Sequence, residues 1–390
     1  MAAPIFLSYR WVDGVAPARV EILDREMRLR GVPVWRDVRE LGAGGLNEVV
    51  AADALRDLSC GCVLYFTEAV LDSWFIKSVE LAAVRHRIER DGDFFVTAVF
   101  DGVDSEQSEI LRQEIGVDPG DYQGIVIDQT VDFEAQIRPF ASQVLRRYLA
   151  TVAGEPTTVA IDTWNEIPLA VEAALHLNWA GGDSGAGSLP IEPEQLKGAA
   201  KDVEAALRAR TDCRDLQVSG NVHLSSAFLV GYSFREPTGW RIVTDHARAA
   251  VEIAGVAADR QDWRLNLHPN QNDSTELVVQ VCASAECGHA VRRHRGGAEA
   301  RAELGVFPAD GRPGRRSLEG TKINPLAAAI VATIREARER YGVASSELYL
   351  ACPWTLAMAL GWNFASSGPV VVHEATAAKD SYHPNPLRLP

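Results

Sequence analysis

The sequence predicts an α/β protein in two regions: a doubly wound N-terminal domain, then an α/β region made of two related halves. Up to about residue 150, short apolar runs alternate with stretches of helical periodicity, as in a parallel sheet covered on both faces. Further on, the octets "AFLVGYSF" (227–234) and "AMALGWNF" (357–364) share Ala-x3-Gly-aromatic-small/polar-Phe, and each follows a strand-like run. A chain of 390 residues, 47% hydrophobic and 24% charged, is long enough for two or three domains, each with its own core.

In chain order, "PIFLSY", "VPVW", "GCVLYF", "FFVTAVF" and "GIVI" read as the buried strands of the first domain. Between them, "LDSWFIKSVELAAV" predicts a helix starting at an Asp72 or Ser73 cap, with Phe75, Ile76, Val79 and Ala83 on one apolar stripe. Glu80 falls at the edge of that stripe, a carboxylate among apolar neighbours. "LATVAGEPTTVA" has the composition of a joint and divides the chain into domains 1–150 and 158–390. "AGGDSGAGSLP" reads as a loop inside the second domain. "DLQVSGNVHLSS" and "ELYLACPWTL" are the strand-like runs before the two octets. The shared glycine has two readings. It either ends each of two ordinary helices at C′, or marks equivalent strand-to-helix turns of two Rossmann-like halves whose helix N-termini face an anion in a shared pocket.

A net charge of −14, from 39 basic and 53 acidic residues, argues against a general grip on DNA or RNA, because that grip requires a basic surface. A small anionic ligand can still be held locally. The opening residues carry no secretory pattern, and no window approaches about 18 uninterrupted apolar residues. The expectation is a cytoplasmic protein with no membrane contact. Six cysteines in so long a chain are not a disulfide framework. Cys282, Cys287, His289 and His294 have metal-ligand chemistry, but Cys282 closes an apolar strand and the spacing fits no zinc pattern, so no metal is expected.

In a doubly wound sheet, ligands sit outside the carboxyl ends of the strands, which directs attention to the first three strand-end loops. There, "FLSY", then Asp37-x3-Leu41-x2-Gly44, then Trp74 and Glu80 within "SWFIKSVEL" resemble the box pattern of a TIR domain, over about residues 1 to 145. Many TIR domains space the last pair as W-x3-E, whereas here Glu80 follows Trp74 by six positions. The resemblance implies a flavodoxin-like parallel sheet and cleavage of NAD+ to nicotinamide and an ADP-ribose product. NAD+ is then the substrate, and neither cofactor nor metal is needed. Glu80 is the catalytic candidate, since a fixed anion in a partly dry cleft stabilises the oxocarbenium charge developing on the ribose. Trp11 or Trp35 would stack on a ring of the dinucleotide, and Arg10 or Arg36 would meet its phosphates; Asp37 and Trp74 complete the substrate-binding set. The competing readings are a Glu80–Lys77 pair on a solvated face, Trp74 in the core and Asp37 capping a turn. No G-x-G-x-x-G follows the first strand, which disfavours an NAD-dependent oxidoreductase.

The second region, over about 160 to 385, resembles a SAVED domain, a fusion of two CARF-like halves, most clearly in "LYLACPWTLAMALGWNF". That family binds cyclic oligonucleotides, trinucleotides in particular, made by a CD-NTase in bacterial CBASS anti-phage signalling. The motif positions imply ligand contacts at Ser225, Ser226 and Phe228 and at Pro353, Trp354 and Thr355, although Trp354 beside Pro353 also reads as a staple of its turn. The expected whole is an NAD+ glycohydrolase switched on by a cyclic nucleotide. Ligand drives head-to-tail self-association, up to a filament, so that loops such as "RDVRELGAGG" complete a neighbour's cleft. The alternative is a nonenzymatic TIR scaffold that senses the nucleotide and recruits partner TIR proteins.

Overall fold

The computed structural model describes residues 3–10, 16–36, 47–68, 70, 73, 76–103, 124–152, 156–180, 192–210, 214–235, 238–246, 249–313, 318–364, 367–376 and 381–390. The chain falls into two compact units: Met1–Gly154 with Ile167–Leu177 and Ala205–Arg210, and Glu155–Glu166 with Asn178–Glu204 and Thr211–Pro390.

The five apolar runs of the N-terminal region become β1 (Ile5–Ser8), β2 (Val34–Trp35), β3 (Gly61–Phe66), β4 (Phe95–Asp101) and β5 (Ile125–Ile127). Every pairing among them is parallel, in the order β2-β1-β3-β4-β5. That is the flavodoxin-like order, whose direction of winding reverses between β1 and β3. Among the described residues, the α-helices of this region are α1 (Ala16–Leu29), α2 (Asn47–Asp53), α3 (Leu81–Arg90) and α4 (Phe133–Thr151). Strands β1 and β3 are buried along their whole length, which is why they read as unbroken apolar runs rather than alternating ones. Trp35 stacks on Phe6 at 4.7 Å and Phe66 on Phe100 at 5.5 Å; Leu64, Ile76, Leu81 and Val84 fill the same core.

The start of the "LDSWFIKSVELAAV" helix departs from the simple 3.6-residue stripe. Ser73 does cap it, its Oγ accepting from the Ile76 amide at 3.3 Å. Residues Ile76–Glu80, however, form one turn of π-helix before α3 begins. A π turn inserts residues into the helical phase and turns the face that follows. Ile76, Glu80, Leu81, Ala83 and Val84 are therefore buried, while Val79 is only half-buried. Glu80 moves from the edge of the stripe to its inner side.

The rest of the chain builds two further sheets. The first contains β6 (Thr157–Asp162), β7 (Leu175–Asn178), β8 (Asp215–Asn221), β9 (Arg241–His246) and β10 (Ala249–Ile253), in the order β10-β9-β8-β6-β7. The second contains β11 (Trp263–Pro269), β12 (Glu276–Cys282), β13 (Ala302–Pro308), β14 (Ser345–Ala351), β15 (Val370–His373) and β16 (Leu387–Leu389), in the order β11-β13-β12-β14-β15-β16. Helices α5 (Pro193–Ala209), α6 (Leu224–Ser233), α7 (Gly288–Arg295), α8 (Gly320–Tyr341) and α9 (Trp354–Asn363) connect them. The run of pairings is the same twice: β6 to β8 and β8 to β9 are parallel and β10 is antiparallel, as are β12 to β14, β14 to β15 and β16. This duplication is the structural content of the repeated octets.

Each octet runs from within one of two helices, α6 and α9, to the phenylalanine that follows it, and the two helices pack against each other. A Cβ built on Gly231 would sit 1.9 Å from the Met358 carbonyl oxygen, and one on Gly361 would sit 2.0 Å from that of Phe228. The glycines are thus mid-helix and let two backbones touch. They do not end the helices at C′, so the first reading of the motif fails, and what the shared glycine marks is the close approach of two equivalent helices. Phe228 and Phe364 meet edge to face at 5.5 Å beside the crossing. Of "AGGDSGAGSLP", residues 181 to 190 lie outside the described residues.

Candidate functional sites

The N-terminal candidate site lies at the carboxyl end of β1, beside β3, where the direction of winding reverses. Ser8, the last residue of β1, donates its hydroxyl to Glu80 Oε2 at 2.5 Å, and the two residues are only 3% and 6% exposed. A carboxylate this buried does not lie on a solvated helix face. Cys62 of β3 is close enough that burial, followed by the Glu80 charge, pushes its thiol well above the usual range. A second polar group closes the ends of β3 and β4: Asp101 accepts from Arg19, from the Tyr65 hydroxyl and from Gln129 at 2.7 Å. Burial alone would raise the Asp101 carboxyl; these three donors reverse that and hold it below its usual value.

The other N-terminal candidates are placed as follows. Arg10 is half-buried and already engaged. Trp35 is 6% exposed with its ring against Phe6, so its stacking partner is the core and not an open dinucleotide ring. Arg36 is 2% exposed and committed to Glu21 at 2.8 Å, Asp24 at 3.1 Å and the Tyr9 hydroxyl at 3.3 Å. Burial opposes its charge, yet these acceptors keep the guanidinium protonated above its usual range. It is a structural cation with its donors directed inward. Trp11, Asp37 and Trp74 lie outside the described residues. Ser8 was not among the sequence candidates; its only signal was its place at the end of the first strand.

The second candidate site forms where α6 and α9 begin. Ser225 and Thr355 occupy equivalent second positions of the two helices, and each reaches a residue at the carboxyl end of the other half. The Ser225 amide and hydroxyl donate to Glu374 Oε2 at 2.9 and 2.8 Å, just past β15. Thr355 Oγ1 lies 2.8 Å from Nδ1 of His246, which closes β9 and whose Nε2 lies 2.5 Å from the Leu318 carbonyl. Since a carbonyl only accepts, Nε2 carries the hydrogen, and in the neutral ring Nδ1 accepts from Thr355. Burial pushes the Glu374 carboxyl up to about 7, against the opposing pull of its donors Ser225 and Leu224. The start of α6 is therefore already occupied by a carboxyl group of the protein's own.

His223 caps α6 from a buried position. Its amide and Nδ1 both meet Thr163 Oγ1, at 2.8 and 2.7 Å, and burial lowers its ring to about 4. The imidazole is neutral at pH 7. Among the expected contacts, Ser226 and Phe228 are buried, the latter in the helix crossing, while Pro353 and Trp354 are half-buried at the start of α9. Cys282 and Cys287 come together with sulfurs 2.7 Å apart, whereas His289 is exposed and His294 packs against Tyr349, His373 and Tyr382. Among the described residues no three His, Cys, Asp or Glu side chains form a metal-holding group. A cavity of about 380 Å³ opens beyond the carboxyl ends of β12 and β13, with Trp263 in its wall and both signs of charge in its lining, Arg312 and Lys322 beside Asp262, Asp310 and Glu319.

Two fused halves that share a strand order, the second with β11 added at its edge, joined through α6 and α9, the helices that follow β8 and β14, define a SAVED/CARF-like fold. Residues 199–385 match the SAVED family, the SMODS-associated and fused to various effectors sensor domain, and this part of the chain is a SAVED domain. Among solved structures, the Acinetobacter baumannii Cap4 SAVED/CARF-domain containing receptor with the cyclic trinucleotide 2'3'3'-cAAA is similar at a TM-score of 0.50 and 12% identity, over 84% of this chain and 88% of that one. The same receptor with 3'3'3'-cAAA gives a TM-score of 0.49 at 12% identity, with 84% and 88% covered. A Moraxella osloensis Cap4 SAVED/CARF-domain containing receptor gives 0.43 at 11% identity, over 100% of this chain and 87% of that one. At such identities the likeness is one of fold. No curated protein matches by sequence. No helix of the described residues is long and apolar enough to cross a membrane.

Proposed function

We propose that the chain is a cyclic-oligonucleotide-activated NAD+ glycohydrolase of antiviral defence, in which a SAVED sensor controls an N-terminal TIR domain. The observation that carries the enzymatic half is Glu80: a buried carboxylate, fixed by Ser8, at the β1/β3 reversal of winding where doubly wound sheets bind ligands. The sensor half is supported by the SAVED match.

In the reaction, the bond between ribose C1′ and the nicotinamide nitrogen breaks, and nicotinamide leaves as a neutral molecule with the bonding electrons. Positive charge grows on the ribose ring as it departs, and Glu80 supplies the opposing charge. Water then adds at C1′ and loses a proton, giving ADP-ribose. Ser8 fixes one carboxylate oxygen, so little reorganisation is needed as the charge appears. Cyclic oligonucleotide, a trinucleotide by preference, would favour the associated state of the SAVED domains over the dissociated one, and association would complete the TIR clefts.

Sedimentation of the full chain with and without 3'3'3'-cAAA, with nicotinamide release from NAD+ followed in parallel, tests the proposal. The expected result is a rise in mass together with nicotinamide release, both dependent on the ligand. Ligand bound with unchanged mass and no nicotinamide would overturn it.

A further inference from the structure

At the carboxyl end of β6, Asp162 Oδ1 accepts from the amides of Trp164 and Asn165, both at 2.8 Å. The Thr163 amide donates to the Asn221 carbonyl at 3.1 Å, tying this turn to the end of β8. Trp164 is thereby held, and its indole stacks on His223 with ring centroids 3.9 Å apart and planes 22° from parallel. Yet the residue is 39% exposed, the one aromatic among the large exposed hydrophobics of the described residues.

A tryptophan packed for stability alone would bury both faces, since the ring offers roughly 150–250 Å² of area to cover. Here one face is anchored on a neutral imidazole that is itself fixed by Thr163, and part of the indole remains open. His223 immediately precedes α6 and lies two residues before Ser225. The open indole therefore stands at the sheet's carboxyl edge beside the helix start of the proposed sensor pocket. It also lies outside the 199–385 span matched to the SAVED family.

We propose that Trp164 is a nucleobase-stacking platform for the cyclic oligonucleotide, with His223 as its backing ring. The inference rests on the sensor reading above. A rigid flat ring held on one side and partly exposed suits a purine or pyrimidine, because every base presents a π-face and stacking demands no hydrogen-bond complement.

Calorimetric titration of the full chain with 3'3'3'-cAAA, comparing wild type, Trp164→Ala, Trp164→Leu and Trp164→Phe, tests it. Trp164→Ala should weaken binding about ten-fold or more and Trp164→Phe by about three-fold or less. Trp164→Leu keeps apolar bulk without the aromatic face and should show the alanine-like loss, even if the alanine variant melts early. Wild-type binding with Trp164→Leu within two-fold of it, or a leucine variant that binds normally but no longer self-associates, would overturn the platform. The second result would make Trp164 a contact between copies. No binding of 3'3'3'-cAAA or 2'3'3'-cAAA by the wild type would overturn the sensor reading itself, and the platform with it.

Discussion

Replacing Gly361 by alanine sets two known effects against each other. In the interior of a helix, glycine to alanine is ordinarily favourable by about 1 kcal/mol. At Gly361, however, the added Cβ would lie 2.0 Å from the Phe228 carbonyl oxygen, so α6 and α9 must separate by more than about 1 Å. A backbone carbonyl cannot rotate aside as a side chain can, and separation also loosens the Phe228–Phe364 contact. Overpacking of this kind costs about 3 kcal/mol, leaving a net loss of about 2 kcal/mol. For a region of this size that is a fall of roughly 4–8 °C in melting temperature. The internal control is Gly198 on α5, where a built Cβ meets nothing within 4 Å; Gly198→Ala should raise the melting temperature slightly. Gly231→Ala should resemble Gly361→Ala, and the double variant should cost less than the two together, because the first alanine has already parted the helices. Scanning calorimetry of the wild type and the four variants decides the matter. If Gly361→Ala is as stable as Gly198→Ala, the crossing is not where the structure places it.

Two further outcomes follow from the buried carboxylates. Ser8→Ala removes the donor to Glu80 Oε2 and should lower ligand-stimulated NAD+ turnover roughly 10- to 100-fold, as loss of a hydrogen bond to a charged group does; Ser8→Thr restores the hydroxyl and much of the rate. Glu374 titrates near 7 in the folded chain and near 4.5 when unfolded, so the folded state binds the extra proton. Its protonated form is fully compatible with folding below about pH 4.5, and the penalty grows as pH rises through 7. Glu374→Gln should therefore stabilise the protein at pH 8, by up to about 3 kcal/mol, and hardly at all near pH 4.5. Melting curves at both pH values check this, and equal shifts at both would contradict it.

The parts of the fold legible in the sequence depend on local pattern. The five apolar runs of the first sheet and the Ser73 cap are encoded within a few neighbouring residues, and the octets announce the duplication because both glycines answer the same close approach. What was illegible depends on distant chain. Ser8 meets Glu80 across 72 residues and Ser225 meets Glu374 across 149, and no periodicity records such partners. Trp35 and Arg36 misled for a related reason. Their place at a strand end suggested a ligand, but Phe6 covers the ring and Glu21 and Asp24 take the guanidinium. The π turn at Ile76–Glu80 hid the burial of Glu80 by shifting the helical phase that the pattern relied on.

The most direct test of the account compares nicotinamide release from NAD+ by the wild type and Glu80→Gln, each saturated with activating cyclic trinucleotide. Glutamine keeps the shape and an acceptor for Ser8 but removes the charge. At about 4 Å and an effective dielectric near 20, that charge is worth about 4 kcal/mol against a developing cation, roughly a thousand-fold in rate. The account predicts a loss of that order with ligand binding and self-association intact. A Glu80→Gln protein that turns over NAD+ at the wild-type rate would contradict it.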